Sequence, residues 1–251
     1  MPFASTATAR IAYTCEGSGP GLVLLHGTGG DGFSNWGHLV RHFSDRYTVV
    51  CPDYAGSGAS EDDGGELSVA TLAEQAMAAA QEAGLTSFDL VGYSLGAVIA
   101  ARIAAEHPAL VRSLVLVAGF AGGPESRSQL QFGLWRDLIG SNPDAMARLI
   151  LLTGFSPAFL SGQSADELAK RQAAILKFTR WEGMARQTEL DLRLDIRAEA
   201  ARLSVPTRVV GCAQDQMVPA HLVRELASQI AGADYVEIDS GHLVTLEKPQ
   251  E

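Results

Sequence analysis

No stretch of this 251-residue chain approaches the ~20 apolar residues in a row that a membrane-spanning helix needs. The opening residues, MPFASTATAR, lack a basic start followed by a long apolar run, so no secretory leader is legible and a cytoplasmic location is expected. Positive charge is scarce: 19 Lys and Arg stand against 29 Asp and Glu, a formal net charge of -10. Nucleic acids and anionic membrane surfaces both recruit basic patches, so neither is expected as a partner, which leaves a small-molecule substrate. Cysteine is nearly missing. The 3 present, Cys15, Cys51 and Cys212, are odd in number and widely spaced, which suits neither a disulfide framework nor a metal site. Their apolar, strand-like settings read as free buried thiols. Internal repeats and low-complexity segments are also missing.

What is present is ordinary globular material, with 47% hydrophobic and 19% charged residues, in a length that suits one large domain with a sizeable core. Short β-rich runs alternate with longer helical ones. Strands are expected at 10–15, 22–25, 47–51, 88–91, 114–118, 207–211 and 235–238, several of them continuously apolar, as in parallel strands buried on both faces. Helices are expected at 34–44, 67–83, 95–106 and 219–231. The alternation predicts an α/β fold with a mostly parallel sheet and helices on both faces. From about 121 to 203 it breaks: a loop, AGGPESRS, opens helical text without a convincing strand. That section holds Phe132, Trp135, Phe155, Phe159, Phe178 and Trp181, and reads as a helical insertion packed over the sheet.

In LVGYSLGAV, Ser94 stands between Gly92 and Gly96, directly after the strand FDLVG and before the helix LGAVIAARIAAEH. A sharp strand-to-helix turn brings backbones close together and leaves no room for side chains at the glycines. At its tip a hydroxyl stands free, and N–H groups at the helix start face developing negative charge. A serine needs a base, and the base an orienting acid. His38 and His42 lie one turn apart on an amphipathic helix, His107 ends a helix, His221 begins one, and His26 in LLHGTGG suits a backbone-bonding role. His242, in the short Ser-Gly loop of YVEIDSGHLV after the last strand, is the best base. For the acid, Asp215 in TRVVGCAQDQMVP lies just past the preceding strand and is favoured; Asp239, three residues from His242, is its rival.

The order Ser94, Asp215, His242, with its elbow, resembles the α/β-hydrolase fold family. The chain is similar to small lid-bearing members: serine esterases, cofactor-free haloperoxidases and meta-cleavage-product hydrolases. HGTGG after LVLL matches the family's oxyanion turn, which assigns the backbone N–H of Thr28, with that of Leu95, to the oxyanion. PDYAGSGAS resembles the Asp-x-x-Gly-x-Gly-x-Ser loop, and SGHLVTLEKPQE the histidine loop and its following helix. Two departures stand out. Ala55 replaces an arginine common among relatives, and the sequence stops at Glu251, before the terminal helix with which members usually end. Serine at the elbow, in place of aspartate, argues against epoxide hydrolases and haloalkane dehalogenases.

The resemblance implies a single α/β-hydrolase domain over residues 1–251 with a helical lid at about 121–203. The implied chemistry is hydrolysis of an ester-like bond in a small, largely apolar substrate through an acyl-enzyme, with no metal or organic cofactor. Trp135 and Trp181 are expected in the pocket wall. The same triad also serves thioester, lactone or carbon–carbon hydrolysis, perhydrolysis and lyase reactions, and a receptor could keep such a pocket for a signalling ligand.

Overall fold

The computed structural model describes residues 1–123 and 125–251. Strands β1 (Phe3–Ser5) and β2 (Ala9–Glu16) open it as an antiparallel pair. Then come β3 (Gly21–Leu25), α1 (Gly32–Val40), β4 (Thr48–Asp53), β5 (Glu61–Asp62), α2 (Val69–Glu82), β6 (Phe88–Tyr93), α3 (Leu95–Glu106) and β7 (Val111–Val117). A run of helices follows: α4 (Ser126–Ser141), α5 (Pro143–Gly154), α6 (Pro157–Ser161), α7 (Ala165–Phe178), α8 (Trp181–Asp191) and α9 (Arg197–Ala200). After it stand β8 (Thr207–Cys212), α10 (Ala220–Ser228), β9 (Asp234–Ile238) and α11 (Val244–Glu247).

The strands form one sheet in the order β1-β2-β4-β3-β6-β7-β8-β9, with β5 paired to β2. From β4 to β9 every neighbouring pair is parallel; the pairs that involve β2 are antiparallel. All five residues of β3 are buried, as a central strand covered on both faces requires. Helices α2, α3 and α10 pack into the larger core on one face, while α1 and α11 bring Trp36, Val40 and Val244 to a smaller one on the other.

Each strand expected from the sequence is present. β1 and β5 were not expected, because three and two residues are too short to carry a periodic signal. The first helix starts at Gly32, not at 34, because Asp31 caps it: its side chain accepts the Ser34 N–H at 2.6 Å, and Ser34 Oγ accepts the Asp31 N–H at 3.0 Å. Of the loop read at AGGPESRS, Pro124 lies outside the described residues. Cys51 and Cys212 are buried free thiols, pushed up to about 12 by that burial and so inert. Cys15 corrects the expectation: it is exposed, near the end of β2 where the strand leaves the covered part of the sheet.

Between β7 and β8 the described residues contain helices and no strand. An isolated bridge, Gly122 to Asp195, joins the two ends of this segment. Backbone bonds from Gly123 N–H to Leu194 O (2.9 Å) and from Ile196 N–H to Ala121 O (2.8 Å) draw entry and exit together at its base. Above that neck α4 packs on α8 and α5, and α5 on α7.

Candidate active site

Ser94 follows β6 at the carboxyl edge of the sheet and precedes α3, with φ 56° and ψ -122°. A side-chain-bearing residue is strained there, and strain of this kind gathers at functional sites. Its N–H is held by Val117 O at 2.9 Å. The flanking glycines are required by space. A Cβ on Gly92 would lie 2.2 Å from Gly96 O, and one on Gly96 would lie 2.4 Å from Leu25 O.

The structure brings the three chemical residues of the sequence reading together. Ser94 Oγ lies 3.1 Å from His242 Nε2, and His242 Nδ1 lies 2.6 Å from Asp215 Oδ2. All are buried. Asp215 follows β8 and His242 follows β9, so neighbouring parallel strands deliver the groups to one sheet edge. The other carboxylate oxygen, Asp215 Oδ1, accepts the N–H groups of Met217 (2.7 Å) and Val218 (2.8 Å). The Tyr93 hydroxyl donates to the His242 carbonyl at 3.0 Å and steadies its loop. The rival carboxylate, Asp239, is exposed and accepts from Gln214 Nε2 at 2.6 Å, away from the histidine.

The remaining histidines lie outside this arrangement. His26 is fully buried and stacks on Tyr54 with ring centroids 3.8 Å apart; burial holds its basicity below the usual imidazole value. His38 Nε2 is 2.6 Å from Thr245 O, tying α1 to α11. Asp53 of the PDYAGSGAS loop accepts the Gly32 N–H at 2.8 Å, and its burial raises its pKa above the usual carboxylate value.

Thr28 and Ser94 face the same cavity, and a Cβ on Gly27 would lie 3.0 Å from Ser94 Cβ, so the turn passes close to the hydroxyl. Within that turn three N–H groups are taken. Gly27 donates to Asn35 Oδ1 (2.8 Å), Gly29 to Gln187 Oε1 (2.8 Å) and Gly30 to Gly27 O (3.2 Å). Among the described residues the Thr28 N–H has no acceptor. Leu95 is the first residue of α3, where the helix dipole also favours negative charge.

The cavity has a volume of about 280 Å³ and opens above Ser94 and His242. Its walls are mostly apolar, with Trp135 of α4, Leu151 of α5, Ile175 and Phe178 of α7 and Met184 of α8 among them. Trp135 is therefore where the sequence placed it. Trp181 is not: it stands at the start of α8, half-buried against the main core, and on that helix Met184 faces the cavity instead.

Sequence reasoning missed four polar residues that hold the site. Glu247 accepts the N–H groups of Ser156 (2.9 Å) and Gly241 (3.1 Å) and the Ser156 hydroxyl (2.5 Å), joining the helical segment to the histidine loop. Gln75 accepts the Ala55 N–H at 2.8 Å. Gln187 and Asp191 reach the Gly27–Gly30 turn from α8. Their four-residue spacing, which puts two polar groups on one helix face, was the available signal.

Residues 20–249 match the model of the α/β-hydrolase fold. The chain belongs to the α/β-hydrolase fold family. The "Pyrrolizixenacetamide deacetylase" of Xenorhabdus hominickii is 47% identical over 243 residues, 97% of this chain and 91% of that one. Among solved structures, a hydrolase from Pseudomonas aeruginosa PA01 superimposes with a TM-score of 0.87 at 25% identity, covering 99% of this chain and 94% of that one. The enol-lactonase of Burkholderia xenovorans LB400 shares the fold, with a TM-score of 0.88 at 24% identity over 99% and 95% of the two chains. Like others of this α/β-hydrolase family the chain is an enzyme, and no described helix is long and apolar enough to cross a membrane.

Proposed function

We propose that this α/β-hydrolase cleaves the acyl bond of a small, largely apolar substrate, with Ser94 as nucleophile, His242 as base and Asp215 as orienting acid. The observation that carries the reading is the unbroken chain from Ser94 Oγ to His242 Nε2 (3.1 Å) and from His242 Nδ1 to Asp215 Oδ2 (2.6 Å). Ser94 attacks the carbonyl as His242 takes its proton. The tetrahedral oxyanion is held by the N–H groups of Thr28 and Leu95. His242 then protonates the leaving group, and water releases the acyl-enzyme by the reverse steps. Residues 1–251 act as one domain, with about 121–203 as a lid whose apolar inner wall selects the substrate.

Which acyl bond is cleaved turns on the deacetylase relative. The sequence suggested a carboxylic ester; a relative named for an acetamide, with nearly half its residues identical, favours an acetyl group on nitrogen. The test is a panel of matched acetate esters and acetamides of aromatic and alicyclic amines, with a fluorophosphonate probe for the nucleophile. Turnover of acetamides, with probe labelling lost in Ser94→Ala, supports the reading. Turnover of esters alone returns the substrate to a carboxylic ester. No turnover and no labelling sinks the reading of Ser94 as the nucleophile of an acyl transfer.

A further inference from the structure

Helix α8 carries Gly183, Gln187 and Asp191 at four-residue steps, hence along one stripe, and all three are buried. Each meets a loop of the sheet edge. A Cβ on Gly183 would lie 1.9 Å from Gly56 O, so the helix touches that loop backbone to backbone. One turn on, Gln187 accepts the Gly29 N–H at 2.8 Å and donates to Ala55 O (3.1 Å) and Ser57 Oγ (2.9 Å). A further turn on, Asp191 Oδ2 accepts the Thr28 hydroxyl at 2.7 Å.

We propose that α8 is a fixed clamp on the oxyanion turn, in which Asp191, through the Thr28 hydroxyl, and Gln187, through the Gly29 N–H, are positioning residues that aim the Thr28 N–H. The inference rests on the reading of Thr28 as an oxyanion donor. Such a donor is effective when its direction is set before charge develops. Here the peptide plane that carries the Thr28 N–H is held at its other end, where Gly27 O accepts the Gly30 N–H at 3.2 Å and lies 2.9 Å from His26 Nδ1. The residue itself is then held by its side chain, and the next N–H by Gln187. A helix that only covered the cavity would need neither a buried carboxyl nor a buried amide, both costly to desolvate.

The surroundings of Asp191 supply a readout that a merely structural role would not move. Burial pushes its pKa up to about 8, and the Thr28 hydrogen bond opposes this only in part. Tyr54 lies near, itself raised well above its ordinary value. Glu125 at the α4 cap, Arg197 of α9 and Glu225 of α10 border the same pocket as Asp191, and the Arg197 guanidinium is paired with Asp195. Above that pH a negative charge appears one hydroxyl away from the proposed oxyanion donor and opposes the developing oxyanion.

The experiment is steady-state kinetics from pH 6 to 10 on the best acyl substrate of the panel above, with circular dichroism of every variant. Thr28→Val should lower kcat at least ~10-fold with KM within about twofold, the pattern of a lost transition-state contact, and Thr28→Ser should restore most of it. Wild-type kcat should fall above pH 8, and Asp191→Asn, which keeps an acceptor for Thr28 but never ionises, should abolish that fall. Unchanged kcat in Thr28→Val overturns the clamp. So do coincident pH profiles of wild type and Asp191→Asn, which also decide the matter should Thr28→Val fail to fold. Ser94→Ala separates the two layers: if it keeps activity, the underlying reading fails; if it is inactive while Thr28→Val is not, only the clamp fails.

Discussion

Asp215 presents one carboxylate oxygen to His242 Nδ1 at 2.6 Å and gives the other to two backbone N–H groups of its own loop, Met217 and Val218. That division sets what an amide would do in its place. In Asp215→Asn the side-chain oxygen must stay with the two loop donors, so the NH₂ group turns toward His242 and forces Nδ1 to accept. The proton then sits on Nε2, which can no longer take one from Ser94. We expect kcat to fall at least ~10²-fold, as the corresponding change in a serine protease costs ~10⁴, with the fold intact by circular dichroism. Asp239→Asn should leave kcat within about threefold, since the exposed carboxylate bonds Gln214 alone among the described residues. Equal losses in the two variants would remove Asp215 from its role.

Trp135 and Trp181 should part company in substrate profiles. Trp135 lines the cavity, so Trp135→Ala should shift acyl-chain preference toward longer substrates by enlarging the pocket. Trp181 packs on the core, so Trp181→Ala should lower the melting temperature while leaving the preference unchanged. An altered preference in Trp181→Ala alone would relocate the binding wall.

Two helical glycines give opposite stability predictions. Gly183→Ala drives a Cβ into the Gly56 carbonyl, backbone that cannot move aside cheaply, and should cost ~1–3 kcal/mol in thermal unfolding. Gly133 lies within α4, and among the described residues nothing beyond its own helix backbone comes within 4 Å of an added Cβ. Gly133→Ala should therefore stabilise by ~0.5–1 kcal/mol, through helix propensity alone.

Asp191 should also leave a signature in stability against pH. Its pKa rises from about 4 in the unfolded chain to about 8 in the fold, so the native state binds the extra proton. Stability from this group is then fully present below pH ~4 and declines as pH rises to about 8. Asp191→Asn does not titrate. Its stability relative to wild type should climb between pH 5 and 8 by at least ~1 kcal/mol, read as a rise of about 2–4 °C in relative melting temperature, and level off above. A difference that stays constant with pH would mean the carboxyl is ionised throughout.

What the sequence determined by itself was whatever the backbone demands locally. Gly92 and Gly96 mark the elbow because a Cβ at either would strike main-chain atoms a few residues away or in the adjoining turn. Continuous apolar runs mark buried parallel strands because both faces must be covered, and with that alternation the positions of Ser94 and His242 followed. Tertiary structure decided the rest. Asp215 and Asp239 both stand in loops after strands, and only the path of each loop turns one of them to His242. Trp135 and Trp181 both sit on helices of one segment, and only the docking of α4 and α8 sends one into the cavity. Gln187 and Asp191 find their partners 158 and 163 residues away, at Gly29 and Thr28. A hydrogen bond over that separation exists only once the insertion has settled on the sheet edge, so a polar pair one turn apart on a helix carries no mark of the turn it will hold.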